Sequence, residues 1–186
     1  MGLCRNVRVT TQPFFPKAMK RLILSLFVVL NGLSSSASLE EVRSAIRNEY
    51  LSSTPSPQTA VWAKSLNRNG QWRDIDYTDR SRALWQLERH LDRLVDMALA
   101  YEQAPDKNKK TYQAIVRGLG NWFDNGYRNS NWWYTKIGIP RRMLSLAYIL
   151  DSDLPPALHD SIANAISIID SDDFPARPGG DRIQVL

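Results

Sequence analysis

Two adjacent tryptophans in a polar run, Trp132 and Trp133 within residues 129–143 (NSNWWYTKIGIPRRM), have the type and spacing best suited to a chemical task. An indole face buries the apolar C–H face of a pyranose, while nearby amide or phenol groups, here Asn129, Asn131 or Tyr134, bond its hydroxyls. Neighbouring side chains on an extended loop point in opposite directions, so a single core easily accepts only one of the pair. From the residues alone two readings stay open: a sugar platform, or a structural loop or protein contact, because exposed aromatic rings also mark protein interfaces. Other familiar chemistry is missing. The sequence has no Gly-rich phosphate loop, no HExxH and no Cys/His cluster, so neither a metal nor a cofactor is expected. His90 and His159 each fall within a predicted helix, without a nucleophile or convergent acid nearby in sequence, and read as satisfied or solvent-facing. Lys107-Asn108-Lys109-Lys110 reads as a solvated turn.

The elements that must position these residues are helical. Ser38-Leu39-Glu40-Glu41 opens a helix with a serine cap and acidic residues at the positive end of the dipole, and Pro55 and Pro57 require it to end before them. The clearest periodicity follows Asp79, over residues 79–102, where Leu84, Leu87, Leu91, Leu94 and Ala98 recur at three- and four-residue steps. Trp85 shares that helix and reads as a packing residue, whereas Trp122 suits either role. Further helices are predicted from Lys109 to Phe123, after Pro140 to about Leu150, and from near Pro155 to Ile169. Strand alternation and fixed-period repeats are missing, so the class is all-α, with helices packed in layers or pairs.

A length of 186 residues with 43% hydrophobic content suffices for one domain with a core. The net charge of +5 comes entirely from Arg5, Arg8, Lys17, Lys20 and Arg21; from Ser38 onward nineteen basic residues face nineteen acidic ones, which argues against a nucleic-acid partner. Residues 1–37 read as a leader. Lys20-Arg21 precede a short apolar run, Leu22 to Leu33, and Ser35-Ser36-Ala37 offers small residues for cleavage after Ala37. Translation is expected to begin at Met19, and the mature chain, residues 38–186, is expected to be secreted or periplasmic, without stable membrane association. Its lone cysteine, Cys4, then leaves with the leader, so disulfides and thiolate metal sites play no part.

The segment NWWYTKIGIPRRM resembles the Asn-Trp-Trp, Ile-Gly-x-Pro-Arg signature of polysaccharide lyase family 8, which includes hyaluronate, chondroitin AC and xanthan lyases. NGQWRDIDYTDRSRALWQLERHLDRLVDMALAY is similar to the family's Gly-x-Trp-x-Asp-Ile-Asp-Tyr segment and first helices, and the resemblance runs from about Leu39 to the end. It implies a partial α/α toroid of helical hairpins around a cleft. It also implies that Trp132 and Trp133, with Asn131 before them, hold an acidic, uronate-containing polysaccharide. Gly138 then allows the bend that presents the loop, and Pro140 starts the next helix.

The reaction that the resemblance implies is β-elimination: a base takes the C5 proton of a uronate, charge spreads into its carboxylate, and the 4-O-glycosidic bond breaks. In the family an asparagine in a Gly-x-Asn-Arg-like segment helps neutralise that carboxylate. Gly179-Gly180-Asp181-Arg182 stands at the matching place, with Asp181 at the catalytic position and Arg182 beside it as a substrate-binding cation. An ionised aspartate repels the carboxylate that an asparagine amide would serve, so Asp181 must be protonated, reoriented or suited to another substrate. The family's catalytic histidine, tyrosine and arginines match nothing before Leu186. The expectation is therefore an N-terminal fragment, inactive alone and requiring a C-terminal continuation; a non-catalytic carbohydrate-binding or helical interaction protein is the alternative.

Overall fold

Asn108 shows how locally these helices are specified: its side-chain oxygen accepts the backbone N–H groups of Lys110 and Thr111 at 2.9 and 3.2 Å, capping the helix that the sequence predicts from Lys109. The computed structural model describes residues 38–167. Within them lie α1 (Leu39–Leu51), α2 (Thr59–Ser65), α3 (Glu88–Gln103), α4 (Lys109–Asn125), a π-helical turn (Tyr134–Gly138), α5 (Ile139–Leu150), a 3₁₀ turn (Asp151–Asp153) and α6 (Pro156–Ile166). No strand occurs among the described residues. The leader and the pair Asp181–Arg182 lie outside them, as does Ile169, the predicted end of the last helix.

Helix α3 is the centre, packed by α2, α4 and α5, with α6 against α5. Its buried residues, His90, Leu91, Leu94, Met97, Ala98, Leu99 and Tyr101, follow the helical period that the sequence shows. The approach of α4 is unusually close. A Cβ added to Gly118 would lie 2.7 Å from Leu94 Cδ2, so any larger residue at that crossing forces the Leu94 side chain to shift. Peripheral α1 buries no residue and is tied down by polar contacts: Arg47 to Glu102 at 2.8 Å, Arg43 to Asp151, and Gln103 Nε2 to the carbonyls of Leu51 and Ser53.

The sequence places the start of the central helix at Asp79, but α3 begins nine residues later, at Glu88. Residues 79–87 instead form a hooked loop. The Asp79 carboxylate accepts the N–H groups of Ser81 and Gln86, both at 2.8 Å, and its carbonyl accepts Trp85 Nε1 at 3.1 Å. Burial of the Trp85 indole, 1% exposed, outweighs the helical periodicity of the leucines. Leu84 consequently leaves the core stripe: it is 91% exposed, with φ +53°.

The NGQWRDIDY segment is a structural clamp. Gly70, at φ +76°, passes so near α4 that an added Cβ would lie 2.4 Å from the Arg117 carbonyl oxygen. Arg93 from α3 sits 5.2 Å from the ring centroids of both Trp62 and Trp72 and pairs bidentately with Asp74, whose carboxyl that hydrogen bond holds below its usual value.

His90 is satisfied, as its sequence setting implied. Its Nε2–H donates to the Gly118 carbonyl at 3.1 Å, which leaves Nδ1 to accept the Tyr77 hydroxyl at 2.8 Å; that hydroxyl in turn accepts the Trp72 N–H at 3.1 Å. Burial among Trp72, Tyr77 and Trp122 pushes its pKa down to about 4. In the unfolded chain the imidazole protonates first, so its contribution is complete above pH 6.5 and lost as pH falls toward 4. The gap corresponds to on the order of 3 kcal/mol. Urea unfolding is expected to show this loss between pH 6.5 and 4, with the slope absent in His90→Gln.

Candidate functional site

The tryptophan pair sits on a helical turn and not on the extended loop that its polar neighbours predicted. Residues 132 and 133 are helical and lead directly into the π turn. Successive helical residues are about 100° apart, so the two indoles fan out from one edge instead of opposing one another. Both are half-buried, and neither is sealed inside. Trp133 packs on the core with its ring edge-on to Tyr134, centroids 5.4 Å apart.

The polar residues around the pair hold it in place. Asn131 caps the turn, its Oδ1 accepting the Trp133 N–H at 3.1 Å, while its Nδ2 donates to the Arg82 carbonyl at 2.8 Å. Asn129 does the same one step earlier, with Oδ1 accepting the Asn131 N–H and Nδ2 donating to the Ser81 carbonyl, both at 2.8 Å. These amides staple the tryptophan segment to the hooked loop. Tyr134 turns inward: it is buried, its ring lies tilted against Trp85 with centroids 5.5 Å apart, and its hydroxyl accepts the Trp85 backbone N–H at 3.2 Å. It is therefore a support for the indoles and no partner for a sugar hydroxyl.

Gly138 has ordinary helical dihedrals, φ −60° and ψ −47°, so it provides no bend. What it provides is space, since an added Cβ would lie 2.9 Å from Trp133 Cζ3. Pro140 stands in the first turn of α5, as its position predicted. In the turn between, the Ile139 N–H reaches back five residues to the Tyr134 carbonyl.

One side of Trp133 faces a cleft of about 440 Å³ between α3 and α5, lined also by Asp92, Asp96, Arg141, Arg142 and Ser145. Arg142 is committed there: it bonds Asp92 at 2.6 Å, Glu88 at 2.7 Å and the Gly138 carbonyl at 2.9 Å. Burial raises the carboxyl of Glu88 above its ordinary value despite Arg142 beside it, and burial likewise raises Asp96. Charge in this cleft is mixed. The exposed residues Arg80, Arg82 and Arg128 lie on or next to the stapled segments. Sequence reading missed these cations, because nothing in a gap of nearly fifty residues announces that the two loops meet.

Residues 35–182 match the model of the polysaccharide lyase family 8 N-terminal α-helical domain. The chain belongs to polysaccharide lyase family 8. The curated chondroitinase-AC of Pedobacter heparinus is 26% identical to it over 82 residues, which are 42% of this chain and 12% of that enzyme. A solved structure of chondroitinase AC lyase, from work on its enzyme–oligosaccharide complexes, superposes on 67% of this chain and 20% of its own, with a TM-score of 0.57 at 20% identity. The all-α arrangement is thus part of an α/α toroid, and the chain spans a small fraction of its relatives' length. The family's N-terminal domain here carries Asn131, Trp132 and Trp133 as one rigid turn.

Alanine at residue 138 should gain helix propensity but collide with Trp133. The expected net is a loss of about 1 kcal/mol in chemical unfolding with altered near-ultraviolet dichroism. In a Trp133→Ala background the same Gly138→Ala change should become neutral or stabilising.

Proposed function

We propose that this chain binds an acidic, uronate-containing polysaccharide across Trp132 and Trp133, as the N-terminal helical part of a secreted lyase that cuts by β-elimination. The observation that carries this reading is the pair of half-buried indoles on a turn stapled to a loop that bears exposed arginines, in a chain of this family. Indole faces take the C–H side of a sugar, and the cations Arg80, Arg82 and Arg128 suit its carboxylates. The names of the similar proteins, a chondroitinase and its oligosaccharide complexes, point to the same chemical class of ligand. Export of the chain, with residues 1–37 as a cleaved leader, belongs to this proposal and is supported by the apolar run after Lys20-Arg21. Among the described residues no helix is long and apolar enough to cross a membrane.

Elimination needs a base near the C5 proton and a neutraliser for the carboxylate. Among the described residues the imidazole of His90 is sealed inside and fully bonded, and His159 lies on α6 beside Asp160 at 3.8 Å. Burial pushes the Tyr77 phenol up to about 12, which unsuits it as a base. Asp181 and Arg182 remain the proposed neutralising pair, outside the described residues. In this reading the described residues bind the polymer without cutting it.

Titration of the purified chain with chondroitin and hyaluronan oligosaccharides, followed by tryptophan fluorescence, should give saturable binding. Trp132→Ala and Trp133→Ala should each weaken it by roughly tenfold, as expected for about 1.4 kcal/mol per stacked ring. Incubation with the polymers should yield no rise in unsaturated-uronate absorbance. A folded chain that ignores every such glycan would defeat the binding reading, and a rise in absorbance would defeat the inactive one.

A further inference from the structure

Residues 82–85 are pinned to the tryptophan segment at both ends. At one end the Arg82 carbonyl accepts Asn131 Nδ2 at 2.8 Å; at the other the Trp85 N–H donates to the Tyr134 hydroxyl at 3.2 Å. Trp132 and Trp133 lie between the partners of these two anchors, and Leu84 lies between the anchors themselves. The leucine and the indoles are therefore carried by two segments joined at both ends. Leu84 is 91% exposed, and its φ of +53° is in the left-handed region that glycine or asparagine adopts far more readily. A leucine there is disfavoured twice, by its backbone conformation and by its exposure to water. Such outliers, held by surrounding structure, cluster where ligands are clamped.

We propose that Leu84 contacts the glycan directly, as an apolar lip beside the Trp132–Trp133 platform that closes on the C–H edge of a bound pyranose. The inference rests on the carbohydrate reading of the platform. Flat indoles alone let a sugar slide or turn over, because every pyranose presents a similar face. A branched apolar side chain at one margin gives the surface a side, and its isobutyl group leaves water when the sugar docks. Arg80 and Arg82 project from the same loop, so apolar and cationic contacts reach the ligand from one short segment.

The test uses the full 186-residue chain, a chondroitin tetrasaccharide, and the variants Leu84→Gly and Leu84→Asn, both of which fit the left-handed backbone. Both should unfold at the wild-type temperature or above it, and both should bind the tetrasaccharide roughly five- to tenfold more weakly. Methyl NMR of the saturated wild-type complex should show contacts between Leu84 and sugar ring protons. Unchanged affinity in both variants, or no such contacts, overturns the lip while leaving the platform reading intact. Lower unfolding temperatures in both variants assign Leu84 to the fold and overturn it too. Wild-type chain that binds no tetrasaccharide overturns both readings; binding that is retained in Trp132→Ala overturns the platform first.

Discussion

The crossing of α3 and α4 at Gly118 is the constraint on which the rest of this structure depends. With no side chain at that point, Leu94 comes within contact of the α4 backbone, and the Gly118 carbonyl is near enough to accept His90 Nε2–H at 3.1 Å. The imidazole then seeds a run of ring contacts. Centroid separations are 5.6 Å from His90 to Trp122, 6.1 Å from Trp122 to Trp85, 5.5 Å from Trp85 to Tyr134 and 5.4 Å from Tyr134 to Trp133. Offset and edge-on pairs of this kind favour particular ring orientations beyond their burial. The surface indole is thus held by a rigid line of aromatic groups that begins at the helix crossing.

Polar bonds complete what the rings begin. Asn129 and Asn131 use one side-chain atom to shape their own segment and the other to hold the loop opposite. Asp79 organises that opposite loop, accepting two backbone N–H groups and the Trp85 indole. Each of these groups is satisfied within the fold, so the platform does not depend on a ligand for its shape. A preorganised surface of this kind loses less freedom on binding any ligand.

Much of this was legible in the sequence. The bounds of α1, α4 and α5 follow from caps, prolines and the apolar period, and the start of α6 from Pro155-Pro156. The family is carried by two separated motifs that the family model also spans. The failures share a cause, since each involves a residue serving a partner far away in the chain. Leu84 fits the leucine period, yet Trp85 draws the backbone elsewhere. Tyr134 sits among polar residues, yet its hydroxyl is needed by the Trp85 N–H. Gly138 looks like a hinge, yet it is the floor beneath an indole. The short helix α2 has too few residues for a period to emerge, and it is held through Trp62, whose carbonyl accepts Trp72 Nε1 at 3.0 Å. The central aromatic residues cluster near polar loops in sequence but belong to the core, because each loop is drawn inward by the ring it carries.

The π-helical turn between Trp133 and Pro140 holds its carbonyl-to-amide bonds one residue wider than an α-helix would. Proline at residue 140 has no N–H to give, so a regular helix running through it would break there in any case. The wider ring absorbs that mismatch and sets a phase offset between the helix bearing the indoles and the helix buried in the core. Tyr134, Ile137 and Gly138 are buried within this turn, so gaining or losing one residue there would carry Trp133 off the glycine beneath it and Tyr134 off Trp85.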